Sequence, residues 1–441
     1  MSKEIFQRFK RNAAIIIGSR LIFGILNILS SMIVVRFFGL AELGIVILLH
    51  SYTRLFNDII KFDSWQAVLT YGSKFHETND KVEQKKLFGL LITIDLVSIS
   101  IGVICAIAFV PYAIDIFEWP EQVAKFAPFY AIAIFFMAHA SPNGILRLFD
   151  RVDALAIEFA LRATVKFIGV CLTAYLGGSA FHLVLTWFAA AVISGTWPLL
   201  ICVKELHQRG QLPSLQFNWR KLSRRFPGIW RFLAFANMAS SVGFLYTTGT
   251  VLFLGTTLGA AQAAVVEIAY QFTGALSRPI RILGPIIMPE FTKLVANNDW
   301  VTFRKIITQQ LKVTGILILL IGLPLLLAFS FVLNTIYGPE VLEYVWLFRF
   351  LLLFVFLKIL AFTFDPAILA ANKPGMLLII RAVTALIYVI TALSLLNQYG
   401  IASVGFAAML GQIFYIAIVL GFGKKLLKKR VVRHKILPDH K

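Results

Sequence analysis

The sequence predicts an all-α polytopic membrane protein whose twelve transmembrane helices form two six-helix lobes around a central cationic cavity. Three observations predict it. Of 441 residues, 59% are hydrophobic and 15% charged, an apolar share that a soluble core does not absorb. Lysine and arginine gather in alternate loops, and the order of spans and loops repeats about halfway along the chain. At ~20 apolar residues per span, this apolar content fills about 12 or 13 crossings and excludes a large catalytic ectodomain.

Spans are expected to start near Asn12, Gly44, Leu87, Phe126, Ala154, Phe181, Trp230, Ala261, Thr314, Tyr344, Met376 and Ser403. The basic stretch Met1 to Arg11 leads into an apolar run with no small-residue cleavage site, so it reads as a retained helix. One set of loops, with both termini, holds 31 Lys and Arg; the other holds Arg36 and Lys125 alone. Both termini should therefore be cytoplasmic. The net charge of +20 follows from this bias and from contact with anionic membrane lipids, and calls for no nucleic acid. The tail KKLLKKRVVRHK reads the same way. Cys105, Cys171 and Cys202 lie in apolar runs and read as packing residues.

The span starts of the second half follow those of the first at a nearly constant interval. The loop residues Lys74, Asn79, Asp80, Lys85 and Lys86 recur 219 positions later as Lys293, Asn298, Asp299, Arg304 and Lys305. Two lobes are expected, 1–215 and 216–441, in the same orientation, as in transporters whose lobes rock around a central site. The link QFNWRKLSRRFPGIWRF interleaves aromatics with bases and suits a helix in the headgroup region. Residues 289–312 look similar, with Phe291, Leu294, Trp300, Phe303 and Ile307 on an apolar side.

Nine bases remain inside spans: Arg20, Arg54, Arg162, Lys166, Arg278, Arg281, Arg349, Lys358 and Arg381. Five acids join them: Asp58, Asp95, Glu158, Glu267 and Asp365. Each costs roughly 2.5–3.5 kcal/mol at the centre of a span, so they are expected to face inward. Even with every acid paired, positive charge is left over, and a hydrated cavity of positive potential attracts anions. Glu158, Arg162 and Lys166 repeat every four residues, and Arg54 and Asp58 are four apart, so each set lines one helix side. Lys358 and Asp365, seven apart, should share a face of the tenth span. In SRPIRILGPIIMP, Arg278 and Arg281 flank Pro279 where the helix can bend. Arg20, Arg54, Arg162, Lys166, Arg278, Arg281 and Lys358 are the candidate substrate-binding bases. Arg20, Arg349 and Arg381 can alternatively snorkel to an interface. Asp58, Glu267 and Asp365 are candidates for binding Na⁺ or taking up H⁺. His139 and His182 have no partner at metal-ligand spacing and read as packing residues.

No GxxxxGK[ST], GxSxG, HExxH or paired-Cys zinc pattern occurs. The longest outward loop, Pro111 to Lys125, is too short for the periplasmic catalytic loops that membrane glycan polymerases and ligases need, so a transporter is expected rather than an enzyme, with no cofactor beyond a coupling Na⁺ or H⁺. VVRFFGLAELG, FNDIIKFDSWQAVLTYG, SPNGILRLFDR, RPIRILGPIIMPEF and YGPE occur in order along the chain. With these motifs it resembles the Wzx-like polysaccharide transporters, flippases of the multidrug/oligosaccharidyl-lipid/polysaccharide exporter superfamily. The resemblance implies an inner-membrane flippase for undecaprenyl-pyrophosphate-linked oligosaccharide in surface polysaccharide assembly, with a glycan polymerase or other assembly proteins as partners. A multidrug antiporter of the same superfamily would share the fold, but a cavity of excess positive charge would repel cationic drugs.

Overall fold

The structure, a computed structural model, describes residues 3–215, 225–234, 237, 245–371 and 373–436. Side chains are described for 18–215, 225–234, 237, 247–277, 287–288, 290–371, 373 and 375–421. Residues 216–224 of the basic linker, and the side chains of the first eleven residues and of the tail from Lys424, lie outside the described residues. The described chain is helical almost throughout. Eight of its helical stretches are long and apolar enough to cross a membrane.

The chain divides into two compact units, Met1–Ile268 and Ala269–Lys441. In the first, α1 (Lys3–Ile60), α2 (Ser64–Glu77), α3 (Lys81–Ala108), α4 (Val110–Phe117), α5 (Glu121–Tyr130), α6 (Ile134–Met137), α7 (Ala140–Leu148), α8 (Val152–Tyr175) and α9 (Ala180–Gln208) are followed by α10 (Thr250–Thr257) and the start of α11 (Ala260–Ala296). The second holds the rest of α11, then α12 (Trp300–Leu317), α13 (Leu323–Tyr337), α14 (Pro339–Leu342), α15 (Val345–Leu360), α16 (Phe364–Ala370), α17 (Pro374–Tyr399) and α18 (Ala402–Ile436).

Where the sequence predicts a loop around Arg36, the helix runs on and is kinked at Gly39 (φ 86°, ψ 170°). Only glycine occupies that backbone region without strain, so one residue does the work of a loop. The expected outward loop Pro111 to Lys125 is likewise mostly helical, as α4 and the start of α5. The expected shared face of Lys358 and Asp365 is not formed. α15 ends at Leu360 and α16 restarts at Phe364, where Thr363 Oγ1 donates to Gln310 Oε1 at 2.8 Å.

Left-handed backbone recurs along the chain. Positive φ is found at Gly39 and Gly259, at Asn79 and Asn298, at Glu118 and Gly338, and at Gly177 and Gly400. Asn79 and Asn298 differ by one degree, 54° and 55°. After each comes a capping aspartate: Asp80 accepts from the Glu83 N–H at 3.0 Å, and Asp299 from the Thr302 N–H at 2.9 Å.

The first unit has a core in which Leu87, Phe88 and Leu91 of α3 meet Val68, Leu146 and Phe149. Phe226 and Ile229 of the linker are buried in this core, so this part packs into protein rather than lying free among headgroups. In the second unit Phe291, Trp300 and Phe303 form one buried cluster, with Leu294 and Ile307 against it, which matches the apolar side expected of residues 289–312. Leu320, Leu327 and Phe331 are about 70% exposed, as side chains facing lipid should be.

Candidate functional site

α8 carries Asp153, Glu158, Arg162 and Lys166, which sets it apart by composition from the eight apolar stretches. Its 24 residues are nonetheless long enough to span the hydrocarbon layer, ~36 Å at 1.5 Å per residue. The four-residue spacing does place its charges on one side, and that side is filled by α1, α7 and α9. Glu158 Oε1 accepts from Arg162 Nη2 at 2.9 Å and faces His139 Nε2 at 3.1 Å. Arg162 Nε donates to Ser194 Oγ on α9 at 3.0 Å. Lys166 Nζ donates to Asn27 Oδ1 on α1 at 2.9 Å and stands 4.1 Å from the centre of the Trp187 ring.

These partners decide what each group can do. A guanidinium has five N–H donors; Arg162 directs two toward Glu158 and Ser194, and its side chain is 31% exposed. Lys166 is buried, held by a neutral amide and an aromatic face, so its charge is oriented without being cancelled. Glu267 on α11 is the carboxylate whose charge acts on it. His50 on α1 marks where the basic groups converge: the charges of Arg54, Lys166 and Arg162 all act on it, and its Nδ1 lies 2.9 Å from the Tyr130 hydroxyl. Arg20 lies 5.4 Å from the centre of the Phe159 ring.

Close packing sets these distances. At Gly195, beside Ser194, a Cβ would fall 1.9 Å from the Phe136 carbonyl oxygen, so only glycine lets the backbones of α6 and α9 come together there. The helical run through α5 and α6 breaks at Ala138 and His139 and restarts as α7. The new N-terminus is capped from α3: Asp95 Oδ2 accepts the Ser141 N–H at 2.7 Å, and Oδ1 accepts the Ser64 hydroxyl at 2.5 Å. The SPNG motif is this restart. His139, expected only to pack, is paired to Glu158.

Other predicted residues are placed differently. Arg54 Nε reaches Asp58 Oδ2 at 3.3 Å, and Lys61 reaches Oδ1 at 2.5 Å, so Asp58 carries two bases. Lys358 is exposed, 5.7 Å from the centre of the Phe354 ring. Asp365 accepts from Arg381 Nη2 at 2.6 Å and from the Tyr415 hydroxyl at 2.5 Å. Arg349 donates to Ser330 Oγ at 2.9 Å instead of snorkelling free. Arg278 and Arg281 are on α11, and their side chains lie outside the described residues. Among the described residues no three His, Cys, Asp or Glu side chains converge as a metal site. Asn27, His50, Tyr130, Trp187 and Ser194 were not legible as site residues, because neutral groups in apolar runs carry no signal until the helices are packed.

Eight helical stretches long and apolar enough to cross a membrane, with the charged helix α8 among them, define a multi-pass membrane protein. The chain belongs to the polysaccharide biosynthesis protein family, whose model matches residues 9–295. It is similar to the inner membrane protein YghQ of Escherichia coli strain K12, with 25% identity over 289 residues, 66% of this chain and 81% of that one. In fold it matches an inward-facing multidrug resistance MATE family transporter of the MOP superfamily (TM-score 0.66, 14% identity, 93% of this chain and 94% of the other). It matches the lipid II flippase MurJ in an inward closed conformation equally well (TM-score 0.66, 13% identity, 95% and 90%).

Proposed function

We propose that the protein is an inner-membrane flippase that carries undecaprenyl-pyrophosphate-linked oligosaccharide by alternating access. The observation that carries this reading is the α8 face, where Arg162 and Lys166 stand one turn apart and the adjacent carboxylate, Glu158, is shared with His139. A positive site within apolar surroundings attracts anions strongly, and the pyrophosphate is the part of such a lipid that most needs counter-charge in the membrane. The glycan would occupy hydrated space and the polyprenyl chain would stay in lipid. Arg20, Arg54, Arg278, Arg281 and Lys358 would supply further contacts along the path. The family assignment supports a polysaccharide-related substrate, and the likeness to MurJ supports a lipid-linked one.

Twelve spans in two halves of six, with both termini cytoplasmic, complete the proposal; the recurrence of left-handed positions supports the two halves. Asp365, Glu267 or Asp58 would bind the coupling Na⁺ or H⁺, and a glycan polymerase or another assembly protein would receive the product. Replacing Arg54, Arg162, Lys166 and Lys358 together by alanine should abolish export of the surface glycan while membrane insertion is unchanged. Lys-to-Arg exchanges should keep part of the activity where charge alone matters. Wild-type export by the quadruple variant would overturn the site. The multidrug antiporter reading shares the fold, and expulsion of cationic compounds by the purified protein would favour it.

A further inference from the structure

Anion binding by Arg162 and Lys166 leaves the His139–Glu158 pair without a task, and the geometry gives it one. His139 sits at the break before α7, its side chain 2% exposed, against a Glu158 side chain 7% exposed. Arg162 and His139 both address one oxygen, Glu158 Oε1, at 2.9 and 3.1 Å. With Nε2–H donating to the carboxylate, the neutral ring keeps its lone pair on Nδ1. That nitrogen is buried and has no partner among the described residues.

A proton on Nδ1 would turn His139 into a cation matched by Glu158. The carboxylate would then no longer be needed by Arg162, whose charge would be free to face a ligand. The surroundings decide when this happens. Arg162 on α8 and Arg147 on α7 act on Glu158, Arg20 on α1 acts on Arg147, and Arg162 meets Lys166 and the Asp58-paired Arg54 at His50. Against them stand Asp95 of α3, whose charge reaches His139, and Glu267 of α11, whose charge reaches Lys166; α9 contributes Ser194 and Trp187. An anion bound at Arg162 would add negative charge beside His139, and a nearby opposite charge favours a further positive one there.

We propose that His139 is a positioning residue that takes up one proton when an anion binds at Arg162, shifting Glu158 from Arg162 to itself. This inference rests on Arg162 being an anion-binding group. By linkage the effect is reciprocal: protonation of His139 raises anion affinity as much as the anion favours protonation. A proton would thus enter with the pyrophosphate group and leave when that group departs.

The test is titration calorimetry of the full-length protein in detergent with inorganic pyrophosphate, in two buffers of different ionisation enthalpy, from about pH 6 to pH 8 where histidine titrates. His139→Gln keeps an N–H donor for Glu158 but takes no proton, and comparison with it subtracts the titration of pyrophosphate itself. The wild type should take up as much as about one proton more per pyrophosphate than His139→Gln, and as the pH rises its affinity should fall relative to the variant's by up to about tenfold per unit. Glu158→Gln, should His139→Gln fail to fold, carries the same test: it frees Arg162 at every pH, so binding should be tighter and should lose the extra proton. Equal proton uptake in wild type and variant overturns the inference and leaves the anion site standing. Absence of pyrophosphate binding by the wild type overturns both.

Discussion

Lys166 on α8 and Asn27 on α1 are joined by a 2.9 Å hydrogen bond across 139 positions of chain. The amide oxygen orients the ammonium without cancelling its charge, unlike Asp58, which takes both Arg54 and Lys61. Hydrogen bonds to charged groups contribute roughly 1.5–3 kcal/mol, or about ten- to hundredfold in affinity. Lys166→Ala should therefore weaken pyrophosphate binding within that range, and Asn27→Ala should weaken it less because the charge remains. Equilibrium binding to the purified variants checks both.

Gly39 lies at φ 86°, ψ 170° within the long first helix. A side chain would meet nothing within 4 Å there, so the penalty for Gly39→Ala is purely conformational, about 1–3 kcal/mol. Thermal unfolding in detergent should show a lowered Tm. Gly18→Ala, helical and also in open space, should not lower it.

Gly195→Ala should be worse for a different reason. Its Cβ would lie 1.9 Å from the Phe136 carbonyl oxygen, and neither backbone can yield without moving Ser194 away from Arg162. The expected result is low yield of folded protein together with loss of pyrophosphate binding in whatever folds, measured by size-exclusion chromatography and calorimetry.

Asp299 caps α12, and its carboxyl is held below the usual carboxylate range by the Thr302 side chain first and then by the Thr302 N–H. Since the folded-state value is depressed, the cap's charge stabilises the fold above the unfolded value, about 3.9. That contribution is lost as the pH falls through the folded value. Asp299→Asn should lower Tm at neutral pH, and the difference from wild type should shrink as the solution is acidified below about pH 4.

Asp365 bridges Arg381 and the Tyr415 hydroxyl. If this carboxylate is the coupling site, Asp365→Asn should remove the dependence of transport on a Na⁺ or pH gradient in proteoliposomes. Unchanged dependence would reject the residue.

Much of this was legible in the sequence, for physical reasons. Helix spacing alone put Glu158, Arg162 and Lys166 on one side of α8, and the 219-residue recurrence of Asn79–Asp80 as Asn298–Asp299 reappears as matching left-handed turns and caps. What spacing could not reach was contact between helices. His139 finds Glu158 only because the chain breaks before α7, and that break depends on Asp95, 46 positions upstream of Ser141. The same limit explains Lys358 and Asp365: a seven-residue interval implies a shared face only within an unbroken helix, and α15 stops between them. Arg349 looked free to snorkel because Ser330 becomes its neighbour only once α13 and α15 pack.

The most direct test is deletion of the gene followed by lipid extraction and mass spectrometry of polyprenyl-linked glycans. The flippase reading predicts that undecaprenyl-pyrophosphate-linked oligosaccharide accumulates on the cytoplasmic side while the corresponding surface glycan disappears. Unchanged lipid-linked oligosaccharide and surface glycan, with altered sensitivity to small toxic compounds, would contradict it in favour of a multidrug antiporter.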